Sequence, residues 1–187
     1  VAWRATEEGR VKGDWAVRRP DLTPSGWAFE FANVNYPDID DTAEVVLALR
    51  RVLHPNPQAV ESAVARSVRW MIGMRSKNGG WGAFDADNVR ALCRDIPFCD
   101  FGEVIDPPTA DVTAHVIEAL AKEGLDQHAV TKRGTQWLLD AQEKYGSWFG
   151  RWGVNYVYGT GASPMALAEN GAAPRDGSVP RAVRGHW

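Results

Sequence analysis

The residues of this chain best suited to chemistry are carboxylates and a histidine, gathered at two similar places. Asp38, Asp40 and Asp41 stand together in "DIDDTAE" (38–44), immediately ahead of an apolar stretch that reads as a helix. Asp106, Asp111 and His115 stand in "DPPTADVTAH" (106–115), ahead of a second such stretch. Clustered carboxylates oppose one another's ionisation, whereas a helix N-terminus or a protonated histidine favours it, so such a cluster can hold a proton and release it. The ordinary alternative is helix capping. Asp41 with Glu44 three residues on is a D-x-x-E capping box, worth about 1 kcal/mol. Capping accounts for one aspartate, but not for acids at two equivalent entrances with a histidine at one of them.

The elements that must position these residues form an internal repeat. "DTAEVVLAL" (41–49) matches "VTAHVIEAL" (112–120) at an offset of 71, so Glu44 and His115 occupy equivalent positions. A second pair, "RSVRWMIGMRSKNGGW" (66–81) and "RGTQWLLDAQEKYGSW" (133–148), matches at an offset of 67. A looser copy, "WRATEEGRVKGDW" (3–15), ends in Gly13-x-Trp15. The unit therefore holds two helices, one opening at TAxV and one opening near Arg66 or Arg133, with Gly-rich turns closing each copy. Strand patterns are hard to find, and the long inserts read as ordered loops rich in aromatic and acidic residues. Repeated helix pairs of this length predict an all-α solenoid or a closed α/α barrel.

Bulk properties narrow the function classes. The 187 residues carry 21 basic and 24 acidic side chains, a formal charge of −3, and no long basic run suited to nucleic acid. Cys93 and Cys99 fit no metal-ligand spacing and read as reduced thiols in a cytosolic setting. No run approaches the roughly 18 apolar residues of a membrane span, so any membrane role is expected to be peripheral. "DADN" (85–88) resembles the start of a calcium loop, but Val89 and Arg90 stand where an acid or amide and the turn glycine are required. His54, His128 and His186 show no local partner and read as surface or packing residues. The chain opens inside one Trp-ended copy, shows no signal-peptide pattern, and after Ala162 collects Pro164, Pro174 and Pro180. It reads as the central part of a longer protein over 1–162, with a tail over 163–187 that has no functional reading. With its repeats uncapped, the isolated chain is predicted not to stay soluble; a sharp cooperative melt would refute this.

Three features together resemble the bacterial squalene-hopene cyclases, class II triterpene cyclases. "DIDDTAE" is similar to that family's DxDDTA acid motif, and "RGTQWLLDAQEKYGSW" to its QW repeat. "IPFCDFGEVIDPPTADVTAH" (96–115) and "GSWFGRWGVNYVYGTGA" (146–162) look like its active-site segments. The resemblance implies an α/α barrel, or toroid, of QW-bearing helix pairs, incomplete in this chain. It also implies an enzyme that cyclises squalene to hopene, with hopanol as a side product, and needs neither metal nor organic cofactor. Such an enzyme sits on one membrane leaflet as a monotopic protein on the cytoplasmic side of the bacterial membrane. A homodimer of the full-length enzyme is a further expectation, and no nucleic acid is involved.

Carried over residue by residue, the resemblance makes Asp40 the proton donor, with Asp38 and Asp41 as its charged neighbours and His115 as its hydrogen-bond partner. Asp106 and Asp111 are expected to hold or reload that network, with Tyr158 and Cys99 nearby at the acid and the substrate entrance. Phe29, Phe84, Phe101 and Trp152 match pocket positions whose rings stabilise passing positive charge, an interaction worth roughly 0.5 to 2 kcal/mol. Trp70, Trp81, Trp137 and Trp148 read instead as core, with Gly-x-Trp and Gln142 tying adjacent helices. Two departures stand out: Arg75 replaces the Gln of the QW repeat, and Phe84 lies where some members carry Tyr. The alternatives are an oxidosqualene cyclase, whose motif usually reads DCTAE, and a class II diterpene cyclase, which would need a basic diphosphate site. A class I enzyme would use DDxxD spacing. A scaffold that only binds lipid or a protein would use the acids as caps.

Overall fold

The computed structural model describes residues 9–30, 33–89, 105–153 and 155–172. Five α-helices follow a short 3-10 turn at Asp14–Val17: α1 (Ile39–Leu49), α2 (Pro57–Gly73), α3 (Ala110–Lys122), α4 (Ala129–Asp140) and α5 (Asn155–Glu169). The described residues contain no strand, only the isolated bridges Trp27–Asp38 and Asn88–Asp106. The architecture is all-α, as the repeats predict.

Burial patterns sort the helices into two layers. α3 buries nearly every residue from Ala110 to Leu120 and packs against α1, α5 and α4. It is the central member of a row α1, α3, α5. α4 buries only Thr131, Gly134 and Leu138, and α2 packs on α1, so these two helices back the row. Gly134 lets the layers meet, because a Cβ there would come within 2.6 Å of the Trp81 ring. At the surface, Arg50 bridges Glu61 of α2 and Glu123 just past α3, the latter through Nε at 2.6 Å.

The Gly-x-Trp motif acts through two bonds. The indole Nε1–H of Trp81 donates to Met71 O, and that of Trp148 to Leu138 O, both at 2.7 Å. Each donates to a carbonyl in the last turn of the preceding helix, where the regular intrahelical pairing runs out. The same tryptophans' backbone N–H groups donate forward: Trp81 N to Thr113 Oγ1 and Trp148 N to Thr160 Oγ1, both at 3.0 Å. In the first unit Trp27 N donates to Thr42 Oγ1 at 2.9 Å. Trp27, not Trp15, thus fills this role; Trp15 packs edge-on against Trp70, with centroids 5.8 Å apart. Gln142 donates to Gly146 O at 2.9 Å, within its own turn.

Several boundaries differ from the sequence expectation. α1 opens at Ile39, and its cap is Asp38, whose carboxylate accepts from Asp40 N and Asp41 N at 2.7 and 3.2 Å. The capping-box reading of Asp41 is therefore corrected, since Asp41 lies inside the first turn. α2 begins nine residues before Arg66, where Asn56 accepts from Ala59 N at 3.0 Å and Pro57 occupies the first helical position. α4 begins at Ala129, and His128 is not partnerless: its Nδ1 accepts from Val130 N at 3.3 Å. His54 likewise accepts from Asn56 N at 3.0 Å through Nδ1, while His186 lies outside the described residues. α5 continues past Ala162 to Glu169, with Pro164 inside it and Ala166 and Leu167 buried.

Replacing Thr113 with Val keeps the shape of a fully buried side chain but leaves Trp81 N–H unpaired. Thr113→Val is predicted to lower stability by about 1 to 3 kcal/mol, read from the urea midpoint, whereas Thr113→Ser keeps most of it.

Candidate active site

The three Trp-pinned threonines put α1, α3 and α5 in register. Two residues before each threonine stand Asp40, Asp111 and Tyr158, so these three occupy one equivalent slot on successive helices. One turn further in, Glu44 and His115 are equivalent on α1 and α3. Asp40 and Glu44 are four apart, hence on one face of α1, and both reach His115 across the α1–α3 contact. His115 Nδ1 lies 2.6 Å from Asp40 Oδ1 and 3.6 Å from Glu44 Oε1. With Asp40 ionised the imidazole N–H donates to its carboxylate. Tyr158 meets the imidazole edge-on, with centroids 5.6 Å apart.

Electrostatics follow from this packing. Burial works against a charged His115, but the bond to Asp40 and the charges of Asp40, Glu44 and Asp111 outweigh it and raise its pKa above the usual 6.5. Burial, helped by the charge of Asp41 and opposed by its two backbone bonds, pushes Asp38 up to about 7. Asp41 is raised by burial and by Asp40. Glu44 is raised by burial, with His115 pulling the other way. The Tyr158 hydroxyl is held above its usual range by burial and by the negative charges of Asp40 and Glu44. The site favours an imidazolium and resists accumulating negative charge.

Beside the acid stands a wall of rings. Tyr36 stacks on Phe84 with centroids 5.0 Å apart, and Phe84 meets Trp152 edge-on at 5.5 Å. The guanidinium of Arg151 lies over the Trp152 ring at 5.4 Å. Of the expected pocket rings, Phe84 and Trp152 are brought together. Phe29 is 76% exposed and joins no ring contact of the stack, and Phe101 and Cys99 lie outside the described residues. Asp106 and Asp111 are buried near the site, but their hydrogen bonds among the described residues run to backbone N–H groups rather than to Asp40 or His115. In the "DADN" loop Asp87 accepts from Lys77 N at 2.7 Å and pairs with Arg19 at 3.0 Å, while Asp85 accepts from Asn88 Nδ2 at 3.1 Å.

Two participants were missed as site residues by sequence reasoning. Glu44 was legible from its four-residue spacing after Asp40. Tyr36, two residues before the cap, carried no such signal, because its stacking depends on a loop almost fifty residues away.

Fold and site together define a helical-repeat protein with a part-buried carboxyl–imidazole pair beside an aromatic wall. The chain belongs to the squalene-hopene cyclase C-terminal domain family, whose model matches residues 1–187, and its helical layers agree with the all-α toroid of that domain. It is similar to the squalene–hopene cyclase of Alicyclobacillus acidocaldarius, at 53% identity over 88% of this chain and 26% of that protein. The corresponding protein of Zymomonas mobilis is 51% identical over 84% of this chain and 24% of its own length. That of Bradyrhizobium diazoefficiens is 43% identical over 95% and 27%. The chain spans about a quarter of the length of these curated relatives.

Asp38 and His115 both bind a proton more tightly when folded, so the stability each contributes is full at low pH. It is lost as pH rises through about 7 for Asp38, and through a value above 6.5 for His115. Asn caps helices as well as Asp does, so Asp38→Asn is predicted to flatten the fall in Tm between about pH 4 and 7, measured by thermal melts across that range. An unchanged slope would show that Asp38 ionises normally.

Proposed function

We propose that the protein containing this chain protonates a terminal double bond of squalene and carries the resulting cation through ring closure to hopene and hopanol. Asp40 is the general acid. The observation that carries this reading is the 2.6 Å pair of Asp40 and His115, with Tyr158 edge-on to the imidazole. An isolated trisubstituted alkene is a far weaker base than water's usual partners, and an ordinary carboxyl with a pKa near 4 is too weak an acid for it. The conjugate base must therefore be stabilised beforehand. With His115 already an imidazolium, its Nδ1–H donates to one oxygen of Asp40 while the other oxygen carries the proton. As that O–H bond breaks and a C–H bond forms, the new carboxylate already has its charge-assisted partner. Glu44 supplies counter-charge to the imidazolium while Asp40 is neutral.

The positive charge left on the substrate passes through a region faced by rings. Phe84 and Trp152 stabilise a cation without acting as bases, so the charge survives until a proton is lost from carbon, giving the alkene, or water adds and gives up a proton, giving the alcohol. The names of the relatives support squalene as substrate. An apolar polyene reaches such a site from a lipid phase, and we place the enzyme on one leaflet, on the cytoplasmic side of the membrane. No helix among the described residues is long and apolar enough to cross it. A homodimer of the full-length enzyme belongs to the same proposal.

The full-length protein incubated with squalene in detergent is expected to form hopene and hopanol. Asp40→Asn keeps the shape but removes the acid, and should lower turnover by at least about a hundredfold with the fold intact by circular dichroism. Equal squalene binding by parent and variant with product from neither would point to a lipid-binding scaffold.

A further inference from the structure

Asp106 and Asp111 are 5% and 0% exposed, and each accepts hydrogen bonds from a loop backbone. Asp106 Oδ2 accepts from Phe84 N at 2.6 Å and Asp85 N at 2.7 Å, and its Oδ1 from Ala83 N at 3.1 Å. Asp111 Oδ2 accepts from Trp152 N at 2.9 Å and Oδ1 from Val112 N at 3.0 Å. Each carboxylate therefore grips the peptide of one member of the Phe84–Trp152 ring pair. The chain is built to let them in: a Cβ on Gly82 would stand 2.6 Å from Asp106 Oδ2, and one on Gly150 2.9 Å from Asp111 Oδ2. The gripped segments are loops without regular secondary structure, and Trp152 is 46% exposed, so packing alone holds it loosely. Buried carboxylates receiving several N–H groups make strong, directional bonds.

We infer that Asp106 and Asp111 are positioning residues for the aromatic wall, fixing Phe84 and Trp152 where positive charge passes and so governing how far ring closure proceeds. This rests on the cyclisation reading above. A ring's attraction for a cation depends on distance and on the face it presents, and misplacement of about 1 Å can cost a hundredfold in a reacting complex. A wall that shifts leaves the cation poorly held at an intermediate ring, where early proton loss competes with closure. Loosening the grip therefore changes which product leaves more than whether the first proton is delivered.

The test uses the full-length protein with Asp106→Asn and Asp111→Asn, each keeping side-chain size while removing the charge and one acceptor. Squalene consumption is expected to fall less than in Asp40→Asn, and the share of incompletely cyclised products to rise several-fold. Backbone hydrogen exchange should quicken at least tenfold at residues 83–85 in the first variant and at Trp152 in the second, with α3 unchanged. Phe84→Leu and Trp152→Leu, which remove the rings and spare the carboxylates, should shift products in the same direction, and give an answer even if an Asn variant does not fold. Unchanged product proportions in these four variants, unchanged exchange at the gripped amides, or loss of turnover as complete as in Asp40→Asn with product proportions unaltered would each overturn the inference. Absence of any cyclic product from the unsubstituted protein would overturn the cyclisation reading instead, and the exchange measurement would still decide the grip.

Discussion

A loop tryptophan's N–H donated to a threonine hydroxyl, one turn into the next helix, sets where everything else stands. It occurs at Trp27–Thr42, Trp81–Thr113 and Trp148–Thr160, within 0.1 Å of the same length each time. The bond fixes rotation and height of α1, α3 and α5 at their entrances, where the first-turn N–H groups favour negative charge and, on α1, two of them are taken by the Asp38 carboxylate. Asp40 and His115 meet because both helices are anchored this way. A helix free to rotate by one residue, about 100°, would turn Asp40 out of reach of the imidazole.

On this frame the charges oppose one another. Burial would empty the site of ions, yet His115 keeps an affinity for its proton because Asp40, Glu44 and Asp111 surround it. Asp38 sits at the border of that balance, capping α1 with two N–H bonds while burial drives it toward the neutral form. His115 is thus held toward its charged form while Asp38, Asp41 and Glu44 around it are shifted toward their neutral forms. That asymmetry suits the acid role proposed for Asp40.

The helix pairs were legible in the chain because the repeat displays itself twice, in TAxV and in Gly-x-Trp. Their boundaries were less so. The start of α1 was misplaced by the pattern D-x-x-E, since Asp38 competes for the same cap and wins by lying one residue before an apolar Ile39 buried in the core. α2 opens in a polar stretch where only Asn56 and Pro57 mark the entrance. Asp40 with His115 was readable from the resemblance and from the equivalence of Glu44 and His115. The roles of Asp106 and Asp111 were not, because a carboxylate that binds backbone amides some 20 to 40 residues away leaves no mark on the spacing of side chains.

The slot two residues ahead of each pinned threonine holds an acid in α1, an acid in α3 and a phenol in α5. The repeated unit thus presents three copies of a single address that differ in burial, Asp111 being fully buried, Asp40 partly so and Tyr158 exposed. One copy is occupied by the group paired with His115, one by a group that steadies a neighbouring loop, and one by a ring that faces the imidazole. Because the threonine bond lies outside the slot, the anchor is the same whichever residue occupies it. Divergence at a repeated position, rather than invention of a new loop, is how such an architecture acquires separate chemical duties, and it marks these three positions as the natural ones to vary when seeking others.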